Sequence, residues 1–162
     1  MEFHIALRLL GKELRRMYTL RKLTPQDLQP LVELVWRVFL EFEAPEYSEA
    51  GVQTFYNYIH DADAVAALTA CGAYDGETLA GVLALRGDHI SLFFVAKEHH
   101  RRGIGKALFA WLLEHAGTCR FTVNSSPYAV EVYRRLGFIE TDTEQLTGGI
   151  RYTPMVYKKA VD

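Results

Sequence analysis

An α/β (α+β) fold, a mixed sheet with helices on its faces, follows from three features of this 162-residue sequence. Apolar residues recur at helical spacing near the start, strand-like runs joined by tight turns fill the middle, and helix and strand alternate toward the end. The order is strand, two helices, three antiparallel strands, helix, strand, helix, strands.

Tyr18-Thr19-Leu20-Arg21-Lys22 alternates and is rich in strand formers. Thr24-Pro25-Gln26-Asp27 reads as a helix start, with Thr24 as N-cap and Pro25 at the first helical position. Leu28, Leu31, Val32, Val35, Phe39 and Phe42 follow at spacings of three and four, which makes one apolar helical face. Pro45 breaks the run, and Ser48 caps a second helix through about Ile59. Ala67 to Tyr74 and Leu79 to Arg86 are strand-like and joined by Asp75-Gly76-Glu77, which suits a hairpin. Gly87-Asp88 turns into His89 to Val95, a nearly continuous apolar run expected to be a central strand covered on both faces. Ile104, Ala107, Leu108, Trp111 and Leu112 predict a helix from about Gly103, with Gly117 as its stop. Arg120 to Asn124 reads as a short strand and Ala129 to Leu136 as a short helix ended by Gly137. Further strands are expected around Phe138 to Thr141 and Pro154 to Lys158, with Gly148 to Met155 as a loop that covers a cleft.

The length fits a single domain over residues 17–162 with a core of its own. Residues 1–16 read as an extension, a short basic helix or a disordered tail. Arg8 interrupts the apolar run from Phe3 to Leu10, and no small-residue cleavage site follows. A formal net charge of -2 argues against a protein that wraps nucleic-acid phosphates. No apolar stretch approaches the ~20 residues that cross a bilayer. Cys71 and Cys119 lie far apart and outside any Cys-x-x-Cys spacing, which suits a reduced, cytoplasmic protein.

Chemistry concentrates where the apolar strand ending at Val95 runs into the basic turn His99-His100-Arg101-Arg102-Gly103 and a helix. Helix N-termini leave backbone N–H groups unpaired and carry positive partial charge, so this is an anion site suited to a pyrophosphate. A Walker-type loop fails here, because the upstream glycine position is His100 and the residue after Gly105-Lys106 is Ala107. A dinucleotide fingerprint fails as well, because its third small residue would be Leu108. A glycine turn that merely packs strand against helix is the plainer alternative.

His100-Arg101-Arg102-Gly103-Ile104-Gly105 resembles the acetyl-CoA signature of the GNAT superfamily, Gln/Arg-x-x-Gly-x-Gly/Ala, with His100 at its first position. Asn124-Ser125-Ser126-Pro127-Tyr128 through Tyr133-Arg134-Arg135-Leu136-Gly137-Phe138 is similar to the second half of that family's cofactor site. The resemblance covers about Tyr18 to Lys158. It implies a mostly antiparallel sheet splayed between its fourth and fifth strands, with helices on both faces. It implies acetyl-CoA as co-substrate and no metal. The cofactor contacts would come from Phe94, Val95, His100, Arg101, Arg102, Gly103, Ile104, Gly105, Lys106, Asn124 and Tyr133.

The resemblance places Tyr133 at the family's general-acid position, where a phenol would protonate the departing thiolate. The amine nucleophile must also lose a proton. His89, Ser91 and the carboxylates Glu41, Glu43 and Glu46 are the candidates, and strand alternation puts His89, Ser91, Phe93 and Val95 on one face. Glu41 and Glu43, with Glu46 and Glu49, would also form an acidic rim for a cationic acceptor. The expected activity is direct acetyl transfer from acetyl-CoA to a primary amine of a small molecule or peptide. A non-catalytic acyl-CoA sensor or scaffold is the alternative. No nucleic-acid or membrane partner is expected, and homodimers are common among such proteins.

Overall fold

In the computed structural model, which describes residues 17–159, the chain opens on β1 (Thr19–Lys22) and a 3-10 turn at Pro25–Asp27. The extension expected over residues 1–16 lies outside the described residues. Asp27 fastens the helix start to the sheet. Its carboxylate accepts from the Thr24 N–H at 2.7 Å, from Arg21 through two 2.9 Å bonds and from the Tyr74 hydroxyl at 2.6 Å.

Helix α1 (Leu28–Phe42) then buries Leu31, Leu34, Val35, Val38 and Phe39. Pro45 sits in a second 3-10 turn, Ala44–Glu46, before α2 (Glu49–Ile59), whose N-cap Ser48 accepts from the Gly51 N–H. A short helix α3 (Ala62–Ala66), capped by Asp61, comes next. It has no counterpart among the expected elements, because five residues are too few to show an apolar period.

Strands β2 (Thr69–Asp75), β3 (Thr78–Arg86) and β4 (His89–Val95) form an antiparallel meander. Helix α4 (Ile104–His115), β5 (Arg120–Ser125) and α5 (Val130–Leu136) follow, then β6 (Ile139–Glu140), β7 (Gln145–Thr147) and β8 (Ile150–Lys158). The strand order is β1-β2-β3-β4-β5-β8-β6, with β7 also on β8, and β4–β5 is the parallel pair. Two local expectations change. Helix α4 ends at His115 with an extended Ala116 as its cap, so Gly117 is not its stop. Gly148-Gly149 is the tight turn of a β7–β8 hairpin, both residues with positive φ, where a loop was expected.

The mixed, mostly antiparallel sheet has helices on both faces, as the sequence implied. Leu31, Val35, Phe39 and Ile59 from α1 and α2 pack with Val82, Leu92 and Phe94 on one side. Ile104, Leu108 and Leu136 from α4 and α5 pack with Leu83, Ile90, Phe121 and Val123 on the other. Each such side chain contributes about 1.5–3 kcal/mol on burial. Ile104 and Leu108 thereby pin the start of α4, and the turn before it, against the sheet.

Candidate active site

Strands β4 and β5 pair only at His89↔Thr122 and Ile90↔Val123. Beyond that point they part, so Ser91 to Val95 on one side and Asn124 and Ser125 on the other face a cleft. A bulge sits at the start of the split. Ala84 pairs with Leu92 and Leu85 with Ile90, which leaves Ser91 with no residue opposite on β3. Ile90 therefore shares a core with Phe93 and Val95, while Leu92 and Phe94 face the other core. The strict alternation expected along this strand is broken, and His89 does not share a face with Phe93. His89 stays where the strands are still paired, with Nδ1 2.9 Å from Thr122 Oγ1, and lines no part of the cleft. Burial, then Arg86, lowers its pKa from the ordinary histidine value. Ser91 does line the cleft.

At the end of β4 the basic turn is held from both sides. His100 Nε2 lies 2.7 Å from the Val95 carbonyl oxygen, and its ring packs on Phe42 at 5.0 Å. That contact satisfies a carbonyl that the parting strands leave without a sheet partner. Arg101 adopts φ 63° and Gly103 φ 82°. Left-handed backbone at a non-glycine residue costs about 1 kcal/mol. The turn gains a concave run of amides. Among the described residues, the backbone N–H groups of residues 101–106 donate to no protein acceptor; the first to do so is that of Ala107, to Gly103.

These amides border a cavity of about 460 Å³ lined by Phe94, Val95, His100, Arg101 and Gly103 through Lys106. Arg135 of α5 joins Arg101 and Lys106 there, and none of the three is ion-paired among the described residues. Arg102 points elsewhere, its guanidinium 3.3 Å from the Tyr18 hydroxyl.

A second cavity of about 410 Å³ lies on the other side of the split and shares Glu43, Phe93, Phe94, Ala129 and Tyr133 with the first. Glu43 comes from the end of α1 and Tyr133 from α5, so groups from opposite faces of the sheet meet where the two cavities join. The Glu43 carboxylate accepts from the Ser126 hydroxyl at 3.1 Å. Burial raises its pKa to about 7 against the opposing Ser126 bond, with the Glu46 charge adding to the rise. Tyr133 is 6% exposed and packs edge-on to Phe93 at 5.9 Å. Its hydroxyl has no hydrogen-bond partner among the described residues. Burial, then the charge of Glu43, raises its pKa above the usual phenol range. A carboxyl raised toward neutral pH thus borders the same junction as a phenol held protonated.

Asn124 lines the second cavity, not the one at the turn. Glu41 is drawn away by a 2.8 Å ion pair with Lys97. Glu46 lines neither cavity, and its Oε2 is buried without a partner among the described residues.

A family model described as an acetyltransferase (GNAT) domain matches residues 43–159. The chain belongs to the GNAT acetyltransferase family. Solved structures share its fold. A GCN5-related N-acetyltransferase from Rhodopseudomonas palustris superposes with a TM-score of 0.76 at 22% identity, covering 88% of this chain and 96% of that one. The PaiA N-acetyltransferase of Thermoplasma acidophilum, in complex with coenzyme A, gives 0.70 at 19% identity, covering 87% and 98%. The ribosomal-protein-S18-alanine N-acetyltransferase of Escherichia coli gives 0.60 at 18%, covering 90% and 96%. No curated protein matches the sequence significantly.

Two parts of this GNAT site escaped the sequence reading. Ser126 was visible as the residue before Pro127, a helix-start signal, and it does cap the turn at Pro127–Ala129 by accepting from the Ala129 N–H. Its second bond reaches Glu43, 83 residues away in the chain, and no local pattern reports that. Tyr47, Phe55, Tyr58 and Tyr152 of the second cavity belong to no motif that the sequence shows. They come together only because α2 and the β7–β8 hairpin meet above the split.

Proposed function

We propose that this chain is an acetyl-CoA-dependent N-acetyltransferase that passes the acetyl group directly to a primary amine in a ternary complex. The observation that carries the reading is the meeting of Glu43 and Tyr133 where two cavities join at the β4–β5 split. One cavity has the residue 101–106 amides and unpaired cations that suit a pyrophosphate. The other has the carboxylate that suits an ammonium.

In this reading the backbone amides of residues 101–106, helped by Arg101, Lys106 and Arg135, bind the diphosphate of CoA. The free backbone edges of β4 and β5 take the amide-bearing arm. Glu43 accepts a proton from the acceptor ammonium and passes it to solvent. The neutral nitrogen then forms a bond to the acetyl carbon as the thioester C–S bond breaks. Tyr133 donates its proton to the departing sulfur and recovers one from the new amide nitrogen. Glu43 therefore serves as the base in preference to His89, which is held at the closed end of the split. Neither Cys71 nor Cys119 lines either of these two cavities, so no thiol intermediate is invoked. Two cysteines far apart in the chain and outside any Cys-x-x-Cys spacing also suit a reducing, cytoplasmic setting.

The test is a Tyr133→Phe variant assayed for release of free CoA thiol with an amine panel, beside calorimetry of CoA binding. We expect the rate to fall by about 10²-fold with CoA affinity nearly unchanged. Wild-type protein that binds acetyl-CoA and turns over no amine would instead be an acyl-CoA sensor. Protein that binds no acetyl-CoA would sink the proposal.

A further inference from the structure

The cavity on the far side of the Glu43–Tyr133 junction has an unusual lining for a site that recognises a cation. Glu43 is its one charged residue, and eight of the eighteen residues around it are aromatic. A single carboxylate balances a single ammonium. A second ammonium would lie against rings and hydroxyls with no counter-charge. The first one fits well, because aromatic faces attract a cation while its organic body covers the remaining apolar surface.

The outer walls of this cavity are Thr54, Phe55 and Tyr58 of α2, and Thr147, Ile150 and Tyr152 of the β7–β8 hairpin. These walls are joined backbone to backbone. A Cβ on Gly51 would sit 2.2 Å from the Gly149 carbonyl oxygen, and one on Gly149 would sit 2.4 Å from the Gly51 nitrogen. The Thr54 hydroxyl also donates to the Gly148 carbonyl at 2.8 Å. The contact fixes how far apart these two walls stand.

We propose that the acceptor is a small, singly charged primary amine with an aromatic or compact apolar body, an arylalkylamine by class. The single carboxylate disfavours polyamines and aminoglycosides, which carry several ammonium groups, and the aromatic lining favours an aromatic body over an extended polypeptide. The inference rests on the acetyltransferase reading above. The transfer is the same, with the acetyl carbon leaving sulfur for the amine nitrogen and the thiol departing protonated.

The experiment is a thiol-release assay on the full chain with saturating acetyl-CoA. The acceptors are phenethylamine, tryptamine, spermidine, kanamycin and a peptide with a free N-terminal alanine. Acetyl-CoA binding is measured on the same preparation by calorimetry. We expect kcat/KM for the two arylalkylamines to exceed the others by about tenfold or more, an energy difference of about 1.4 kcal/mol. Tyr58→Ala should raise KM for phenethylamine severalfold without lowering acetyl-CoA affinity. Preference for spermidine, kanamycin or the peptide overturns the inference, as does equal use of all five or no use of the arylalkylamines. In each of those cases, intact acetyl-CoA binding with turnover of some amine leaves the acetyltransferase reading standing. Loss of acetyl-CoA binding removes both.

Discussion

Glu43 is the residue on which the proposed chemistry turns, and its environment sets two separate pH dependences. Burial holds its pKa near 7, so the proposed base is ionised only above that point. The rate should therefore rise with pH through about 7, and Glu43→Gln should remove that limb while lowering kcat/KM by about 10²-fold. Stability runs the other way. Because the folded-state pKa lies above the ordinary carboxylate value, folding is unpenalised below about 4.5, and stability falls as pH climbs toward 7. Glu43→Gln should thus raise the melting temperature at pH 8 and change it little at pH 4, a gain of about 1–2 kcal/mol. Thermal melts at the two pH values check the sign.

Asp27 shows the opposite linkage. Arg21 first, then the Tyr74 hydroxyl and the Thr24 N–H, hold its pKa well below the usual carboxylate range. Its stabilising effect is present above the unfolded carboxylate pKa and is lost as pH falls through the acid range. Asp27→Asn should cost about 2–4 kcal/mol at pH 7, since it leaves Arg21 and Tyr74 without their buried acceptor. Urea unfolding at pH 7 measures it. Part of this was readable in advance, because Thr24-Pro25 announces a helix start. The ties to Arg21 and Tyr74 were not, because they span β1, β2 and the turn.

Among the elements, the contact between α2 and the β7–β8 hairpin is the most exacting. Gly51 and Gly149 approach so closely that any side chain at Gly51 must displace the hairpin. Gly51→Val should lower stability by about 2–3 kcal/mol through this overpacking, and should raise the acceptor KM more than the acetyl-CoA affinity changes. Calorimetry and steady-state kinetics on the variant separate the two effects. Gly51 sits inside a sequence that otherwise reads as a plain amphipathic helix. Its partner lies in a Gly-Gly turn nearly a hundred residues on, so neither glycine disclosed the other. The bulge at Ser91 is a similar case. His89 to Val95 reads as one apolar strand, and only the pairing with Ala84 and Leu85 shows the extra residue that moves His89 out of the site.

At the scale of the whole molecule, the site lies between two cores that pack on opposite faces of one sheet. Glu43 belongs to the helix that ends beside one core, and Tyr133 to the other. A ligand that fills the split bridges the two, so CoA should stabilise the fold by mass action. A concentration one hundred times its Kd adds about 2.7 kcal/mol, read as a rise in melting temperature that grows with the logarithm of added CoA. Raised salt should weaken this effect if, as proposed, Arg101, Lys106 and Arg135 of this cavity bind the phosphates.

The order of elements, the mixed sheet and the turn at His100 to Lys106 are legible along the chain, because they rest on local periodicity, caps and backbone freedom within a few residues. The sequence also singled out Tyr133 and Asn124 through motifs of fixed spacing. Tertiary structure decided which carboxylate stands at the junction, that His89 is held away from it, and that aromatic rings and a glycine contact wall the second cavity. Those outcomes depend on groups brought together across the β4–β5 split from distant parts of the chain. A burial-raised carboxyl and an aromatic-walled cavity are properties of that assembled space, and no single segment carries them.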